Sequence, residues 1–348
     1  MKIKSINTNA AILHQLRKPL IIDSIKLPSF LSKGQVLVEL TYSGICGSQI
    51  GEIDGVKGPD KYLPHLLGHE GIGYVVEVGP QVSKISKGDK VLLHWMKSKG
   101  IESNVPIYEW KSKKLNAGLV TTFNNHAIVS ENRVTKIINN LNDLDYLLLG
   151  CTASTAIGSI FKLSNVKKNN LVAVSGCGPI GLYIIKVLKY LKVKNIIAID
   201  INQKKLNFAK QLGANLLINL KTKSFKSIKS KYSNGIDYFF ECSGSTKVIS
   251  QAFKHLNKNG SEILIGVPSY KKMSEFYTLD INLGKKLVGS KGGNFNPDKD
   301  LKSYINLINK KVFKNKNIIK NKINLNQLND LIYETKKGHI VGKSIIVY

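Results

Sequence analysis

Residues 171–200 read LVAVSGCGPIGLYIIKVLKYLKVKNIIAID. The opening LVAVS is an unbroken apolar run of strand length, and the GLYIIKVLKYLK that follows the glycines has the spacing of a helix. Gly176, Gly178 and Gly181 form G-x-G-x-x-G on the turn between them, with Pro179 and Ile180 completing G-C-G-P-I-G. Each glycine has a mechanical reason: one permits the tight turn, one lets backbone approach a diphosphate, and one packs helix against strand. The helix amino terminus faces that diphosphate, where exposed N–H groups and a partial positive charge favour an anion. A second apolar run, NIIAID, ends on Asp200, 19 residues beyond Gly181. A carboxylate there can accept hydrogen bonds from both adenosine ribose hydroxyls and repels a ribose phosphate, which selects NAD over NADP. Lys205, one helical turn on, can weaken that preference or simply face solvent. Cys177 is a small side chain tolerated within the loop.

Beyond Asp200, strands and helices keep alternating: the helix QKKLNFAKQLGA, the run LLINL, DYFFECSG, a helix read as VISQAFKHLNKNG, then SEILIGV. Repeated units of that length imply a parallel sheet covered on both faces. Before residue 150 the pattern differs. QVLVELTYSGI, GIGYVVEVG and DKVLLHW are short β-like runs separated by turns, so the first half is β-rich. After residue 298 come two helical stretches, DLKSYINLINKK and LNQLNDLIYETKKG, and a last strand, KSIIVY, expected to return to the β-rich half. The Lys/Asn-rich run KKVFKNKNIIKNK at 310–322 carries interleaved apolar residues, which favour an ordered, solvated segment.

A chain of 348 residues is long enough for two domains with separate cores. It has no apolar run of ~18 residues able to span a bilayer and no secretory leader pattern at its start, so a cytoplasmic protein without a membrane partner is expected. The net charge of +29 raises a nucleic-acid reading, but 50 of the 52 basic residues are lysines scattered along the whole chain, only Arg17 and Arg133 being arginine. Compositional drift explains this better than a phosphate-binding face, and no nucleic-acid partner is expected. The four cysteines are widely spaced, unlike a disulfide framework, and reduced thiols are expected.

Three of the possible metal donors stand out as a set. Cys46 lies in SGICGS, His69 in PHLLGHEGIG with Glu70 beside it, and Cys151 opens GCTASTAIG where the two halves meet. Singly, each reads as a buried cysteine or a hydrogen-bonded histidine. Together they are three N/S donors suited to tetrahedral zinc, with a fourth position left for water or substrate.

With GICGS, GHEGIG, KGDKV at 87–91, GCTASTAIG, SGCGPIG and IDINQKKL in this order, the chain resembles the zinc-containing alcohol dehydrogenase family of the medium-chain dehydrogenases/reductases over nearly its whole length. The resemblance implies an α/β protein: a GroES-like β-rich catalytic domain, 1–152 with 292–348, and a doubly wound parallel-sheet (Rossmann) nucleotide-binding domain, 153–291. It implies one catalytic zinc held by Cys46, His69 and Cys151, with Glu70 as an inner-sphere neighbour or occasional alternative ligand. Ser48 is then the group that hydrogen-bonds the substrate hydroxyl and passes its proton on, Thr155 and Ile180 contact the nicotinamide, and Trp95 lines the substrate pocket. The implied partner is a small alcohol or carbonyl, and the implied assembly a homodimer or homotetramer.

Several family features are missing. Residues 94–118 contain none of the four cysteines that commonly hold a structural zinc, so one zinc is expected. Gln49 stands where an Asp usually supports the zinc-bound histidine, and Gly51 where a relay histidine is usual, leaving the cofactor ribose, water or Glu52 as the proton's exit. Gly47 and Ile346 occupy the places of the arginines that often grip the cofactor diphosphate. Lys97, Lys99, Lys111, Lys113 and Lys114 hint at an acidic substrate such as a phosphorylated sugar derivative, or simply at a solvated loop. Two other readings compete: a zinc-free NADPH-dependent reductase of the same fold, and a binding protein that kept the fold without the chemistry.

Overall fold

The computed structural model describes residues 1–138, 142–309 and 317–348. Strands β1 (Asn7–Leu13), β2 (Ile21–Lys26) and β3 (Gln35–Ile45) lead into a short helix, α1 (Gly47–Ile53). Next come β4 (His65–Leu66), β5 (Glu70–Val78), β6 (Lys90–His94), β7 (Ile107–Trp110), β8 (Lys113–Asn116), β9 (His126–Ser130), β10 (Val134–Lys136) and α2 (Asp143–Leu147). The alternating stretch runs α3 (Thr152–Phe161), β11 (Leu171–Ser175), α4 (Pro179–Tyr190), β12 (Asn195–Asp200), α5 (Gln203–Leu212), β13 (Leu216–Asn219), α6 (Lys226–Lys229), β14 (Ile236–Glu241), α7 (Thr246–Lys254), β15 (Leu256–Leu264), α8 (Leu279–Asn282) and β16 (Lys286–Gly289). The chain closes with α9 (Pro297–Asn309), β17 (Ile319–Ile323), α10 (Leu328–Lys336) and β18 (Lys343–Val347).

Contacts divide these elements into two compact units, Met1–Cys151 with Asn296–Tyr348, and Thr152–Phe295. In the first, β1, β2, β7, β8 and β4 close into a barrel, and a second sheet runs β10-β6-β5-β3-β18-β17, with β9 also paired to β3. Alternation in these strands drives Val36, Val38, Val75, Val91, Leu93 and Val129 into one fully buried cluster. Each such side chain contributes roughly 1.5–3 kcal/mol of burial. The last strand pairs antiparallel with β3, Ser344 opposite Ile45, so the start of β18 lies beside the end of the strand from which Cys46 emerges.

In the second unit six strands run parallel in the order β13-β12-β11-β14-β15-β16. All five residues of β11 are buried, as expected of a strand covered on both faces. Helix α5 starts under the side chain of Asn202, which accepts from the N–H groups of Lys204 and Lys205, and ends at Gly213 with φ of 126°. One boundary departs from the sequence reading. The helix read as VISQAFKHLNKNG stops at Lys254, because Leu256 already pairs with Ile236 and the strand continues to Leu264. Part of the Lys/Asn-rich run, 310–316, lies outside the described residues; of the remainder, Ile318 and Ile319 are buried at the start of β17. Among the described residues no single helix is long and apolar enough to cross a membrane.

Candidate active site

Cys46 follows β3 in extended backbone and forms the N-cap of α1, His69 immediately precedes β5, and Cys151 ends the first unit. Their ligand atoms, two Sγ and one ring nitrogen, all lie within 4.8 Å of one another. Both cysteines are buried and free. The Cys46 thiol is drawn well below its ordinary range by the hydrogen bond from the Cys151 thiol, with His69 and Lys343 adding to the effect against burial. Cys151 is pushed up by that same bond and by burial. Two buried polar atoms in this region have no hydrogen-bond partner, Nε2 of His69 and Oγ of Ser48.

Behind the thiols Glu70 meets a lysine that sequence reasoning missed. The Nζ of Lys343 on β18 forms an ion pair with Oε1 of Glu70 on β5, and neither side chain is exposed. Close packing leaves this pocket no slack. A Cβ at Gly44 would fall 2.4 Å from Oε1 of Glu70, and one at Gly150 would fall 2.8 Å from its Cβ. In a lysine-rich chain nothing local marks Lys343; its meaning comes from the β3–β18 pairing. Ile346, by contrast, belongs to a hydrophobic cluster with Ile45 and Phe123, and a Cβ on Gly47 would meet open space.

Gln49 is buried, receives the backbone N–H of Cys46 on Oε1 at 3.3 Å, and places Nε2 against Nδ1 of His69. Glu52 falls in a second cluster with Asp60 and His65. There both ring nitrogens of His65 are engaged, Nε2 with Oδ2 of Asp60 at 2.9 Å and Nδ1 with the Leu66 carbonyl at 2.8 Å, which makes this an ion-pair arrangement with no ring lone pair for a metal. Trp95 follows β6, and its carbonyl accepts from Nη1 of Arg133. Of the loop lysines, Lys97 pairs with Glu102, and Lys111 lies 3.5 Å from Asp23.

In the second unit the three loop glycines differ in what surrounds them. Gly176 has φ of 78°, where a side chain is strained, and a Cβ on Gly181 would fall 2.2 Å from the Gly176 carbonyl. Gly178, the N-cap of α4, faces open space, with Pro179 at the first helical position and Ile180 next. Asp200 closes β12 and accepts from the N–H of Cys177 at 2.7 Å and of Asn202 at 2.9 Å, tying its carboxylate to the glycine loop. Lys205 lies on α5, and Thr155 is buried on α3. Two carboxyl groups that sequence reasoning did not single out are buried nearby in the sheet. Glu241 accepts from Ser175 Oγ at 3.0 Å and from the N–H groups of Ser243 and Gly244. Glu262 has neither oxygen hydrogen-bonded, and burial, with the Glu241 charge adding, pushes its carboxyl up to about 9.

A GroES-like β-rich unit joined to a doubly wound parallel sheet is the architecture of the medium-chain dehydrogenases/reductases. Residues 32–139 match the family model of the alcohol dehydrogenase GroES-like domain, and residues 179–310 that of zinc-binding dehydrogenases. The S-(hydroxymethyl)glutathione dehydrogenase of Haemophilus influenzae is 31% identical over 300 residues, covering 77% of this chain and 79% of its own. An alcohol dehydrogenase-like protein of Arabidopsis thaliana is 26% identical over 381 aligned positions, covering 96% and 95%. The chain belongs to the zinc-type alcohol dehydrogenase family. Solved structures share the fold: an alcohol dehydrogenase zinc-binding domain protein from Burkholderia ambifaria (TM-score 0.88, 23% identity, 99% of each chain) and benzyl alcohol dehydrogenase from Acinetobacter calcoaceticus (TM-score 0.86, 24% identity, 98% and 99%).

Proposed function

We propose that this chain is a zinc-dependent, NAD-linked alcohol dehydrogenase with one catalytic zinc. The carrying observation is the convergence of Cys46, His69 and Cys151 within 4.8 Å, with the Nε2 of His69 buried and unpartnered. Two sulfurs and one nitrogen suit zinc and leave a fourth position open, so the residues fit the ion. Zinc bound there would supply Lewis acidity, stabilising an alkoxide so that hydride can pass to a nicotinamide.

This chain's own residues do the rest. Ser48 Oγ, free of other partners, accepts the substrate proton as its own hydroxyl proton passes on to the cofactor ribose, water or Glu52, and the same relay runs backward in the reverse direction. Glu70, fixed by Lys343, keeps a compensated negative charge behind the thiols. Gly176, Gly178 and Gly181 open a backbone cradle for a diphosphate at the start of α4, and Thr155 and Ile180 are assigned to the nicotinamide. Asp200, already oriented by two backbone N–H groups, is assigned to the adenosine ribose, favouring NAD over NADP. Trp95 is assigned to the substrate pocket. We assign the first unit to metal and substrate and the second to NAD.

The substrate is a primary or secondary alcohol. The test is NAD reduction with a panel of simple alcohols, polyols, sugar derivatives and S-(hydroxymethyl)glutathione, before and after chelation and zinc re-addition. Turnover with NAD that is lost on chelation and restored by zinc supports the reading. Turnover that survives complete metal removal overturns it. A homodimer or homotetramer is supported by β16, an edge strand of the parallel sheet, together with exposed Met273, Tyr277 and Leu283 in the segment before it. A monomer by light scattering would refute that assembly.

A further inference from the structure

The hydrogen bonds around His69 and Cys46 engage a residue outside the ligand set. The Gln49 side chain spans two of the three proposed ligands: its Oε1 takes the backbone N–H of Cys46 at 3.3 Å, and its Nε2 faces Nδ1 of His69. The same residue donates its own N–H to the Cys46 carbonyl at 3.1 Å, so the first turn of α1 fixes it in place. An amide nitrogen is a donor only, so in this arrangement Nδ1 offers its lone pair and the proton of the neutral ring sits on Nε2. That is the nitrogen left buried without a partner beside the thiols.

Ligation through Nε2 needs the opposite tautomer, with the proton on Nδ1 and an acceptor to receive it. The side chain at Nδ1 is then an amide with one oxygen claimed by two N–H groups, those of His69 and Cys46. Turning the amide over satisfies the ring and sets an NH₂ group against the Cys46 N–H. Sharing the oxygen stretches both bonds.

We propose that Gln49 is a positioning residue that makes the metal site loose: binding an ion through His69 forces a change of tautomer and of amide orientation that a carboxylate at this position would not require. The inference rests on Cys46, His69 and Cys151 being the zinc ligands. Glu at position 49 has the same length and two acceptor oxygens, one for each N–H, while Met has similar length and no strong acceptor. Partners that orient ligating histidines change metal affinity by ~10–100-fold.

The experiment titrates the zinc-free full-length protein and its Gln49→Glu and Gln49→Met variants with zinc against a chromophoric chelator, and records ¹⁵N-histidine spectra of the zinc-free forms. Q49E should bind zinc ~10–100-fold more tightly than the unmodified protein and Q49M more weakly. The His69 ring should carry its proton on Nε2 in the unmodified protein and on Nδ1 in Q49E, a signature that a purely structural side chain would not produce. Q49E affinity equal to or below that of the unmodified chain, Q49M affinity undiminished, or an Nδ1–H ring in the unmodified zinc-free protein overturns the inference. An unmodified chain that binds no zinc, or binds it equally well after Cys46→Ser, overturns the ligand assignment itself, and the role of Gln49 with it.

Discussion

Replacing Lys343 with Met removes the cation from a fully buried ion pair and leaves Glu70 in a pocket walled by Gly44 and Gly150. Methionine fills most of the lysine volume, so the cost falls on electrostatics more than on packing. Removing one partner of a buried pair typically costs about 3–5 kcal/mol, because the remaining charge keeps its desolvation penalty and loses its compensation. The pocket is close-packed on the Gly44 side, where a Cβ would lie 2.4 Å from Oε1. Urea unfolding of the metal-stripped protein at neutral pH, at unchanged m-value, measures the loss. A second substitution, Glu70→Gln, should recover most of it, and lowering the pH should recover part, since the stranded carboxyl then takes up a proton. A loss below ~1 kcal/mol, or a double variant no more stable than Lys343→Met, refutes the reasoning.

Glu262 gives a pH dependence. Its folded-state value of about 9 lies above the ordinary 4.5, so the unfolded chain releases this proton first and stability falls as pH rises between those values, by up to ~1.4 kcal/mol per pH unit, and levels off above. Glu262→Gln should flatten that part of the stability profile, and an unchanged profile counts against a neutral buried carboxyl. Ser48→Ala should lower turnover by ~10² to 10⁴ at full zinc occupancy while Ser48→Thr retains much more; equal, undiminished rates in both would remove Ser48 from proton transfer. Asp200→Gly should relax the NAD preference in kcat/KM, and an unmodified enzyme that already favours NADP would contradict the role given to this carboxylate.

The parallel-sheet unit was legible because its signals are local: LVAVS, the glycine spacing and the helix after it lie within one stretch, and the structure puts each element where that stretch does. The end of α7 was not, since LNKNG looks like a helix tail until Leu256 finds Ile236, and tertiary pairing overrides the local pattern. In the β-rich unit the strongest runs were visible as β3, β5 and β6, whereas β1, β2 and the β7–β8 hairpin carry weaker patterns and gain their stability from closing a barrel. The three proposed ligands were visible as residue types in motifs. The partner of Glu70 behind them was not, because Lys343 reaches it only through pairing of β18 with β3, far apart in sequence.

The most direct test counts metal. Purified in zinc-containing buffer and freed of loose ions, the chain should carry about one zinc, and Cys46→Ser, His69→Ala and Cys151→Ser should each lower that content and abolish NAD-linked alcohol oxidation together. An active protein with no bound zinc, or a single zinc retained in full by all three variants, would contradict the assignment.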